Sequence, residues 1–205
     1  MIPNQPEECK RPYSLGKRLE ASDRTRAKIL AAARAQLESN GFVNFTLEGL
    51  ARESGVTRQT VHNLFGTKSG VLEALFDHIA LDAGLERMRV VMTQSDARQM
   101  LTGFVEIFVG FWRKDRLLLR RVHGIAAIDP EFGVAVEARN QRRRGAAARV
   151  VGLLAKQRGG VAGPERASAL YALTSFEFYD AVAEGCANEA EAARIVQSIV
   201  ERALL

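Results

Sequence analysis

The chain has 205 residues, of which 47% are hydrophobic and 26% charged, a composition that excludes a wholly disordered or fibrous protein. Its length suits one small domain joined to a larger one. The formal charge of +5 is uneven, because residues 1–68 hold 11 basic and 7 acidic side chains, whereas residues 69–205 hold 18 and 17. A positive excess in one part of the chain favours phosphate contacts there.

Cysteine use and hydropathy predict a cytoplasmic protein. Cys9 and Cys186 form no disulfide framework and match no paired metal-ligand spacing. Residues 1–20 lack the apolar run of a signal peptide, and no uninterrupted stretch elsewhere approaches the roughly 18 apolar residues of a membrane span. We therefore expect no metal site, no cofactor and no membrane association.

Residues 1–21 contain three of the five prolines and charges of both signs, which predicts a flexible arm. The basic side chains of this arm either contact phosphates or a minor groove, or belong to a solvated tail. A helix is expected next, capped by Ser22 or Asp23 and stopped by Gly41. Its opening turns carry three basic side chains, Arg24, Arg26 and Lys28.

Two short helices joined by a tight turn are predicted over residues 46–65. Thr46 can cap the first helix, and Gly55 can adopt the positive φ that a sharp helix exit needs. Thr57 can cap the second helix. That helix opens with three hydrogen-bonding side chains, Arg58, Gln59 and Thr60. The pattern is typical of a helix-turn-helix, whose second helix enters the major groove and offers its first residues to the bases.

Apolar residues at helical spacing continue to the end of the chain. A fourth helix begins near Lys68 and runs on into the remaining chain. Five later helices are predicted, in order, from residue 96 to the charged residues 113–115, through Leu119 and Ile125, from Asp129-Pro130 to Arg158, over residues 165–184, and from a capping box of Asn188 and Glu191 onward. We find no alternating run bounded by hairpin turns and no internal repeat, so the predicted class is all-α.

Residues 24–79 carry a series of short motifs in a fixed order. These are Asn40-Gly41-Phe42, Phe45-Thr46, Ala51, Ser54-Gly55-Val56-Thr57, Thr60-Val61, Phe65, Thr67-Lys68 and Leu72. Together they resemble the tetracycline-repressor (TetR) family of transcriptional regulators. The resemblance implies a three-helix DNA-binding domain over residues 1–68 and a larger helical domain for ligand binding and dimerisation over residues 69–205.

The resemblance also assigns roles within the helix-turn-helix. It implies contacts with the DNA backbone by Thr46, Thr57, Thr60, His62 and Lys68. The best candidates for base contacts are Arg58, Gln59 and Asn63, because arginine can bind guanine bidentately and Gln or Asn can do the same to adenine. Three positions depart from the family pattern. His62 stands where the family commonly has a tyrosine, and Leu64 stands where a polar or aromatic residue is common. Ser69-Gly70 stands where an acidic residue usually follows the lysine.

Aromatic residues in the second half form either packed core or the lining of a small-molecule cavity, which the resembled family encloses in its larger domain. The candidates are Phe104, Phe108, Trp112, His123, Phe176 and Tyr179. The arginines at positions 139, 142, 143 and 144 form either a second nucleic-acid patch or the solvated face of a helix. Two places could be considered for a metal ion, namely His78 with Asp82 one turn on, and His123. Neither has further metal ligands nearby in the sequence, so we expect packing or surface roles for these residues.

The resemblance implies a sequence-specific DNA-binding regulator, a homodimer joined through its last two long helices. It would act as a repressor that a small, largely apolar ligand releases from a near-palindromic operator. The alternatives are a DNA-binding regulator without a small-molecule ligand and an all-helical protein-interaction module. No nucleophile with its base, metal cluster or phosphate loop occurs at a recognised spacing, so no enzyme is expected.

Overall fold

The computed structural model describes residues 13–40, residue 42 and residues 45–205. The α-helices of this part are α1 (Tyr13–Asn40), α2 (Leu47–Ser54), α3 (Arg58–Phe65), α4 (Lys68–Asp82), α5 (Met88–Val91), α6 (Ala97–Lys114), α7 (Arg116–Ile128), α8 (Pro130–Gln157), α9 (Pro164–Leu173), α10 (Phe176–Glu184) and α11 (Glu189–Leu204). No strand occurs among the residues described, so the predicted all-α class is confirmed. None of these helices has the length and apolar character needed to cross a membrane.

The first helix begins at Tyr13, nine residues before the predicted cap. Residues 13–21 of the predicted arm are therefore helical, while residues 1–12, with Cys9, and also Gly41 lie outside the described residues. The helix passes through Ser22 and Asp23 because no proline interrupts the chain here and most of the side chains favour helix. Thr25 Oγ1 also donates to the carbonyl of Ala21 (2.8 Å), a bond that a helix accommodates.

The first four helices share a core that fixes the helix-turn-helix. Five of its side chains are almost completely excluded from solvent, namely Leu37, Phe45, Leu50, Val61 and Leu72. They come from α1, the segment before α2, α2, α3 and α4 respectively. Burial of each such side chain contributes about 1.5–3 kcal/mol, so this small domain holds α3 firmly against its neighbours.

Helix α4 ends at Asp82 instead of running on. A left-handed Gly84, a 3₁₀ turn (Leu85–Arg87) and the short α5 turn the chain before Asp96 caps α6. The larger part of the fold then packs α6, α7 and α8 around an aromatic core, with α9, α10 and α11 against them. This arrangement places α4 beside α8, so α4 belongs to both parts of the core.

The predicted helix over residues 165–184 is wrong in one respect, because it breaks between α9 and α10. Ser175 starts the new helix by accepting a hydrogen bond from the amide of Phe178 (3.1 Å). The carbonyl of the buried Thr174 accepts instead from the indole Nε1–H of Trp112 (3.0 Å). A tertiary hydrogen bond thus replaces a helical one at the break.

Charged side chains fasten α7 to the last two helices. Arg116 binds Asp180 (2.9 Å) on α10 and Glu189 (2.7 Å) on α11, and Arg120 also binds Asp180 (2.8 Å). The predicted Asn188 cap is confirmed, since its side chain accepts from the amide of Glu191 (3.0 Å). These contacts fix α10 and α11 against the core.

Candidate nucleic-acid interface and ligand cavity

The turn between α2 and α3 has the geometry that its sequence predicts. Gly55 adopts a left-handed φ of 69°, and the amide of Val56 donates to the carbonyl of Ala51 (3.0 Å). Thr57 then caps α3 by accepting from the amide of Thr60 (3.1 Å). Residues 55–57 therefore form the whole turn, and α3 begins immediately after it.

One side of α3 is open to solvent and carries the three candidates for base contacts. Arg58, Gln59 and Asn63 are exposed, whereas Val61 on the opposite side is fully buried. The amide nitrogen of Gln59 donates to the side-chain oxygen of Asn63 (2.7 Å), and Arg58 forms an ion pair with Glu48 of α2. The three side chains thus occupy one accessible face, where α2 holds the arginine.

Four of the five candidates for backbone contact, Thr46, Thr57, Thr60 and Lys68, lie at the starts of helices, whereas His62 lies in the last turn of α3. Thr46 caps α2 by accepting from the amide of Gly49 (3.0 Å), and the hydroxyls of Thr57 and Thr60 are 2.9 Å apart. Thr46, Thr57 and His62 are exposed, and Thr60 is half-buried. Helix starts expose amide donors and a positive dipole end, which are both suited to phosphate.

Lys68 lies over aromatic rings at the start of α4. Its Nζ is 3.4 Å from the centre of the Phe42 ring and 5.8 Å from that of Phe45. Burial lowers the pKa of Lys68, and the nearby carboxylate of Asp129 partly offsets this effect. The lysine is therefore half-buried and held in place by the aromatic residues that follow α1.

Gly70 permits close contact between α3 and α4. A Cβ atom at this position would lie 2.0 Å from the carbonyl oxygen of Phe65, the last residue of α3. No real Cβ contact is so short, and a backbone carbonyl cannot move aside without moving its helix. The departure from the family pattern at Ser69-Gly70 therefore has a physical reason at Gly70.

The start of α4 is bound to the start of α8. Thr67 Oγ1 donates to Glu131 Oε1 (2.9 Å), and Ser69 Oγ donates to Asp129 Oδ1 (3.0 Å). The same Asp129 oxygen caps α8 by accepting from the amide of Phe132 (3.0 Å). Side chains from the two helix starts thus connect the helix-turn-helix with the longest helix of the larger part.

A second connection joins α1 to the junction of α6 and α7. Arg34 forms a bidentate ion pair with Asp115, which is mostly buried. Arg121 Nη1 donates to the carbonyl of Leu37 (2.6 Å). The helix-turn-helix is therefore attached to the larger part at two separate places.

A cavity of about 390 Å³ lies between α4, α5, α6, α7 and α8. Its lining is formed by Phe76, Asp77, Ala80, Leu85, Glu86, Met88, Arg89, Phe108, Phe111, Trp112, His123, Val136, Arg139, Asn140, Arg142, Arg143 and Ala146. Four of these are large aromatic residues, and four of the eight polar ones lie on α8. The volume is within the range of small-molecule sites in proteins.

Three of the six candidate pocket residues line this cavity, namely Phe108, Trp112 and His123. Phe104 and Phe176 do not line it but pack directly behind, with ring centres 4.9 Å from Phe108 and 4.6 Å from His123 respectively. Tyr179 is fully buried elsewhere, with its hydroxyl bound to Glu189, and burial raises its pKa. The structure thus places Tyr179 among the contacts between α10 and α11.

Arg139, Arg142 and Arg143 also line the cavity, a position that neither alternative for this arginine run, a nucleic-acid patch or a solvated face, predicted. Arg142 and Arg144 are exposed, whereas Arg143 is only 7% exposed. The sequence does contain a signal, because Arg143 falls at helical spacing within the buried stripe Phe132, Val136, Ala147, Val150 and Leu154. An arginine in the apolar stripe of a helix indicates a buried charge.

His123 has one satisfied nitrogen and one without a partner. Its Nδ1 lies 3.0 Å from Glu177 Oε1, and this contact is the main reason that the pKa of Glu177 falls to about 2. Nε2 is buried and has no hydrogen-bond partner among the residues described. The ring contacts Trp112 edge-on, and His123 is among the residues that line the cavity.

The histidines form no metal site in the described part of the chain. No group of three or more His, Cys, Asp or Glu side chains is arranged there to hold a metal ion. His78 Nε2 lies 3.6 Å from Asp82 Oδ2 one helical turn away, on an exposed surface. His78 therefore has a surface contact, as expected.

Comparison with known proteins places these features in a family. Residues 29–75 match the family described as bacterial regulatory proteins, tetR family. Among curated proteins, no relative matches the chain. The fold is similar to a TetR transcription regulator from Haloarcula marismortui, with a TM-score of 0.68, 16% identity, and coverage of 89% of this chain and 97% of that one.

Two further structures are similar to the chain. NalD, the secondary repressor of the MexAB-OprM multidrug efflux pump in Pseudomonas aeruginosa, has a TM-score of 0.68 and 23% identity, with 91% of this chain and 98% of that one covered. The choline complex of a proposed transcriptional regulator from Saccharomonospora viridis has a TM-score of 0.65 and 20% identity, with coverage of 87% and 96%. At these identities the agreement is one of fold.

The fold and the matched segment define a bacterial regulatory protein of the helix-turn-helix class. More particularly, residues 29–75 match the tetR family and the whole fold is similar to that of TetR regulators, which confirms the resemblance that the motifs indicate.

Proposed function

We propose that this protein is a sequence-specific transcriptional repressor that dissociates from a near-palindromic operator when a small molecule occupies its cavity. The observation that carries the proposal is the exposed face of α3, where Arg58, Gln59 and Asn63 stand free of the core inside the segment that matches the family. In this proposal residues 1–68 bind DNA, and residues 69–205 bind the ligand and form the dimer.

The base contacts follow from side-chain chemistry. Arg58 donates to the two acceptors of a guanine edge, while Gln59 and Asn63 each match the donor and acceptor of adenine. The hydrogen bond between Gln59 and Asn63 restricts both amides before DNA binds, which reduces the entropy lost on binding. Glu48 holds Arg58 on the same face until a base replaces it.

The backbone contacts surround this face. Hydroxyls of Thr46, Thr57 and Thr60 and the imidazole of His62 donate to phosphate oxygens, and Lys68 adds a positive charge from α4. Such contacts orient α3 and supply affinity that does not depend on sequence.

Dimerisation through the last helices positions two copies of α3 on one operator. Ile195 on α11 is a large apolar residue left 37% exposed, and the small residues Ser168 and Ala172 are exposed on α9. Because the family interface comprises these last helices, we infer that they pack against their copies as a helical bundle. Two-fold symmetry then spaces the recognition helices by about 34 Å, one turn of DNA.

The ligand acts by shifting a population of dimers. Helix α8 lines the cavity with Arg143 and binds the start of α4 through Asp129, so a ligand that favours one position of α8 favours one position of α4. The spacing of the two recognition helices then changes. By linkage, operator DNA weakens ligand binding by the same factor as the ligand weakens DNA binding.

Selection of bound DNA from a random pool tests the DNA-binding part. The wild type is expected to enrich a near-palindrome, and Arg58→Ala to lose preference at one base pair in each half-site, at a cost of about 1–3 kcal/mol. Arg52→Ala, which removes an exposed arginine from α2, is the control and should keep the motif. Lys68→Met should weaken all sequences alike and reduce the salt slope by about 1.

Two results would contradict this part of the proposal. An unchanged motif in the Arg58→Ala protein refutes its role at the bases. A wild-type protein without salt-dependent affinity for any DNA refutes DNA binding and favours a protein-interaction module.

The ligand response is tested separately, by titrating operator affinity against compounds that bind the cavity. Operator affinity is expected to fall as the cavity fills. An operator affinity that stays constant while the cavity fills refutes release by a ligand and leaves DNA binding intact.

A further inference from the structure

The charges around the cavity are unequal. Four arginines and two carboxylates line it, which leaves a formal charge of +2. One of the carboxylates, Asp77, is bound to Arg139 (2.7 Å), and the other, Glu86, is exposed at the rim. Arg89 and Arg142 are exposed as well, so the buried charge of the lining is that of Arg143.

Arg143 is the buried source of this charge. None of the ion pairs formed among the described residues includes it. Its Nη1 donates to the carbonyl of Tyr171 (2.8 Å) and to the hydroxyl of Thr174 (3.5 Å), which are both neutral acceptors. Burial lowers the pKa of Arg143, and the charge of Glu177, which is not within ion-pair distance, only partly offsets this effect.

Burial of a guanidinium that forms no ion pair with a carboxylate costs desolvation free energy, and a bound anion that forms such a pair offsets much of it. Arginine offers its remaining N–H groups as a planar fork that fits the two oxygens of a carboxylate. His123 is a second polar residue of the lining, and its buried Nε2 has no partner among the residues described. Glu177, which does not line the cavity, is bound to His123, and its charge also acts on Arg143.

The rest of the lining determines the body of the ligand. Phe76, Phe108, Phe111 and Trp112 present aromatic surface to the cavity. A cavity of about 390 Å³ holds a molecule of one or two rings.

We propose that the cavity binds a small organic anion, namely a carboxylate on an aromatic or similarly flat apolar body, with Arg143 as the partner of the carboxylate. The inference rests on the proposed ligand-responsive function and names the chemical class of that ligand. It differs from a site for a quaternary ammonium such as choline, which needs free aromatic faces and negative charge. Here the guanidinium of Arg143 already lies over the Tyr171 ring (3.9 Å) and near that of Phe108 (5.6 Å).

Trp112 reports on binding directly, because it is the single tryptophan of the chain and lines the cavity. We would titrate its fluorescence with three matched series whose bodies do not emit in the tryptophan range. The first contains the carboxylates phenylacetate, phenylpropionate and phenylbutyrate, the second the amides of these acids, and the third trimethylammonium compounds on the same bodies. Carboxylates are expected to give saturable titrations, the amides to bind about tenfold more weakly or worse, and the ammonium compounds not to bind.

Variants of α8 assign the effect to one side chain. Arg143→Gln is expected to remove the preference for carboxylate over amide, and Arg143→Lys to keep part of it through charge alone. The control is Arg144→Gln, since Arg144 stacks on the same Tyr171 ring (3.7 Å) but does not line the cavity. Circular dichroism shows whether each variant is folded. If the Arg143→Gln protein is unfolded, the Arg143→Lys protein still tests whether the charge at this position determines the preference for carboxylate.

Several outcomes would overturn the inference. These are a wild type that binds the three series equally, one that prefers the amides or the ammonium compounds, and one that gives no saturable titration with any carboxylate. A neutral or cationic compound that fills the cavity and lowers DNA affinity refutes the anion while the proposed function stands. A carboxylate that binds through Arg143 without changing DNA affinity refutes release by ligand while this inference stands.

Discussion

Ser69 and Asp129 are 60 residues apart in the chain, yet a hydrogen bond of 3.0 Å joins the hydroxyl of the first to the carboxylate of the second. Asp129 also caps α8, so one carboxylate serves both its own helix and the start of α4. Removal of the serine hydroxyl therefore isolates the contact between helices and leaves the cap in place.

Ser69→Ala is expected to lower the free energy of unfolding by about 0.5–1.5 kcal/mol, because a largely buried hydrogen bond is lost. Urea denaturation measures this change. Ser39→Ala is the matched control, since the exposed Ser39 hydroxyl donates only to the carbonyl of Ala35 within α1 (2.8 Å). An equal loss of stability in the two variants would contradict a special role for Ser69.

Gly70→Ala is expected to destabilise the protein by about 1–3 kcal/mol and to weaken DNA binding, since the new Cβ forces the end of α3 away from α4. Thermal unfolding and operator affinity provide the two measurements. Gly145→Ala, in the interior of α8 with nothing within 4 Å of the added carbon, should instead leave stability unchanged or raise it by up to about 1 kcal/mol. A Gly70→Ala protein with wild-type affinity for DNA would show that α3 tolerates the displacement.

Glu48→Gln is expected to strengthen DNA binding by about two- to fivefold at low salt, because it releases Arg58 and removes a negative charge near phosphates. Glu53→Gln removes the same charge from the same helix, but no ion pair of Glu53 occurs among the residues described, so its effect should be smaller. Binding isotherms at several salt concentrations measure both. Weaker DNA binding by Glu48→Gln would mean that the ion pair positions Arg58 for its base.

Glu177 predicts a dependence of stability on pH. Its contact with His123 lowers its pKa from 4.5 to about 2 in the folded protein. A carboxyl group whose pKa falls on folding stabilises the protein fully above its unfolded pKa, and this stabilisation is lost as the pH falls from 4.5 towards 2.

Glu177→Gln should therefore reduce stability above this window and flatten the curve of unfolding free energy against pH within it. Denaturation at several pH values measures the slope. His123→Gln removes the principal cause of the shift, so the double variant should differ little in slope from either single variant. Additive changes in slope would show that His123 is not the cause of the lowered pKa of Glu177.

The helix-turn-helix could be predicted almost to the residue because its determinants are local. Thr46 and Thr57 cap the helices that they precede, and Gly55 supplies the turn, so a few neighbouring residues contain the needed information. The start of α1 was predicted less well, because possible caps at Ser22 and Asp23 do not end a helix that the preceding residues can continue.

The cavity could be predicted only in part, because distant residues determine it. The break at Thr174 depends on a hydrogen bond from Trp112, which lies 62 residues earlier. Phe108 and Phe104 have the same character in sequence, yet only Phe108 lines the cavity. Their difference depends on how α6 is rotated against α8, which periodicity alone does not determine.

Helix α8 is a single rod of 28 residues, and Asp129 and Arg143 are about 21 Å apart along it at 1.5 Å per residue. A displacement of Arg143 along the helix axis therefore displaces Asp129 by nearly the same distance. If side chains repack while α8 stays in place, the start of α4 does not move. Occupancy of the cavity and release from DNA are then separate quantities. A molecule that fits the cavity without displacing α8 competes with the true effector but does not change DNA affinity. Fragments of the effector are expected to include such competitors.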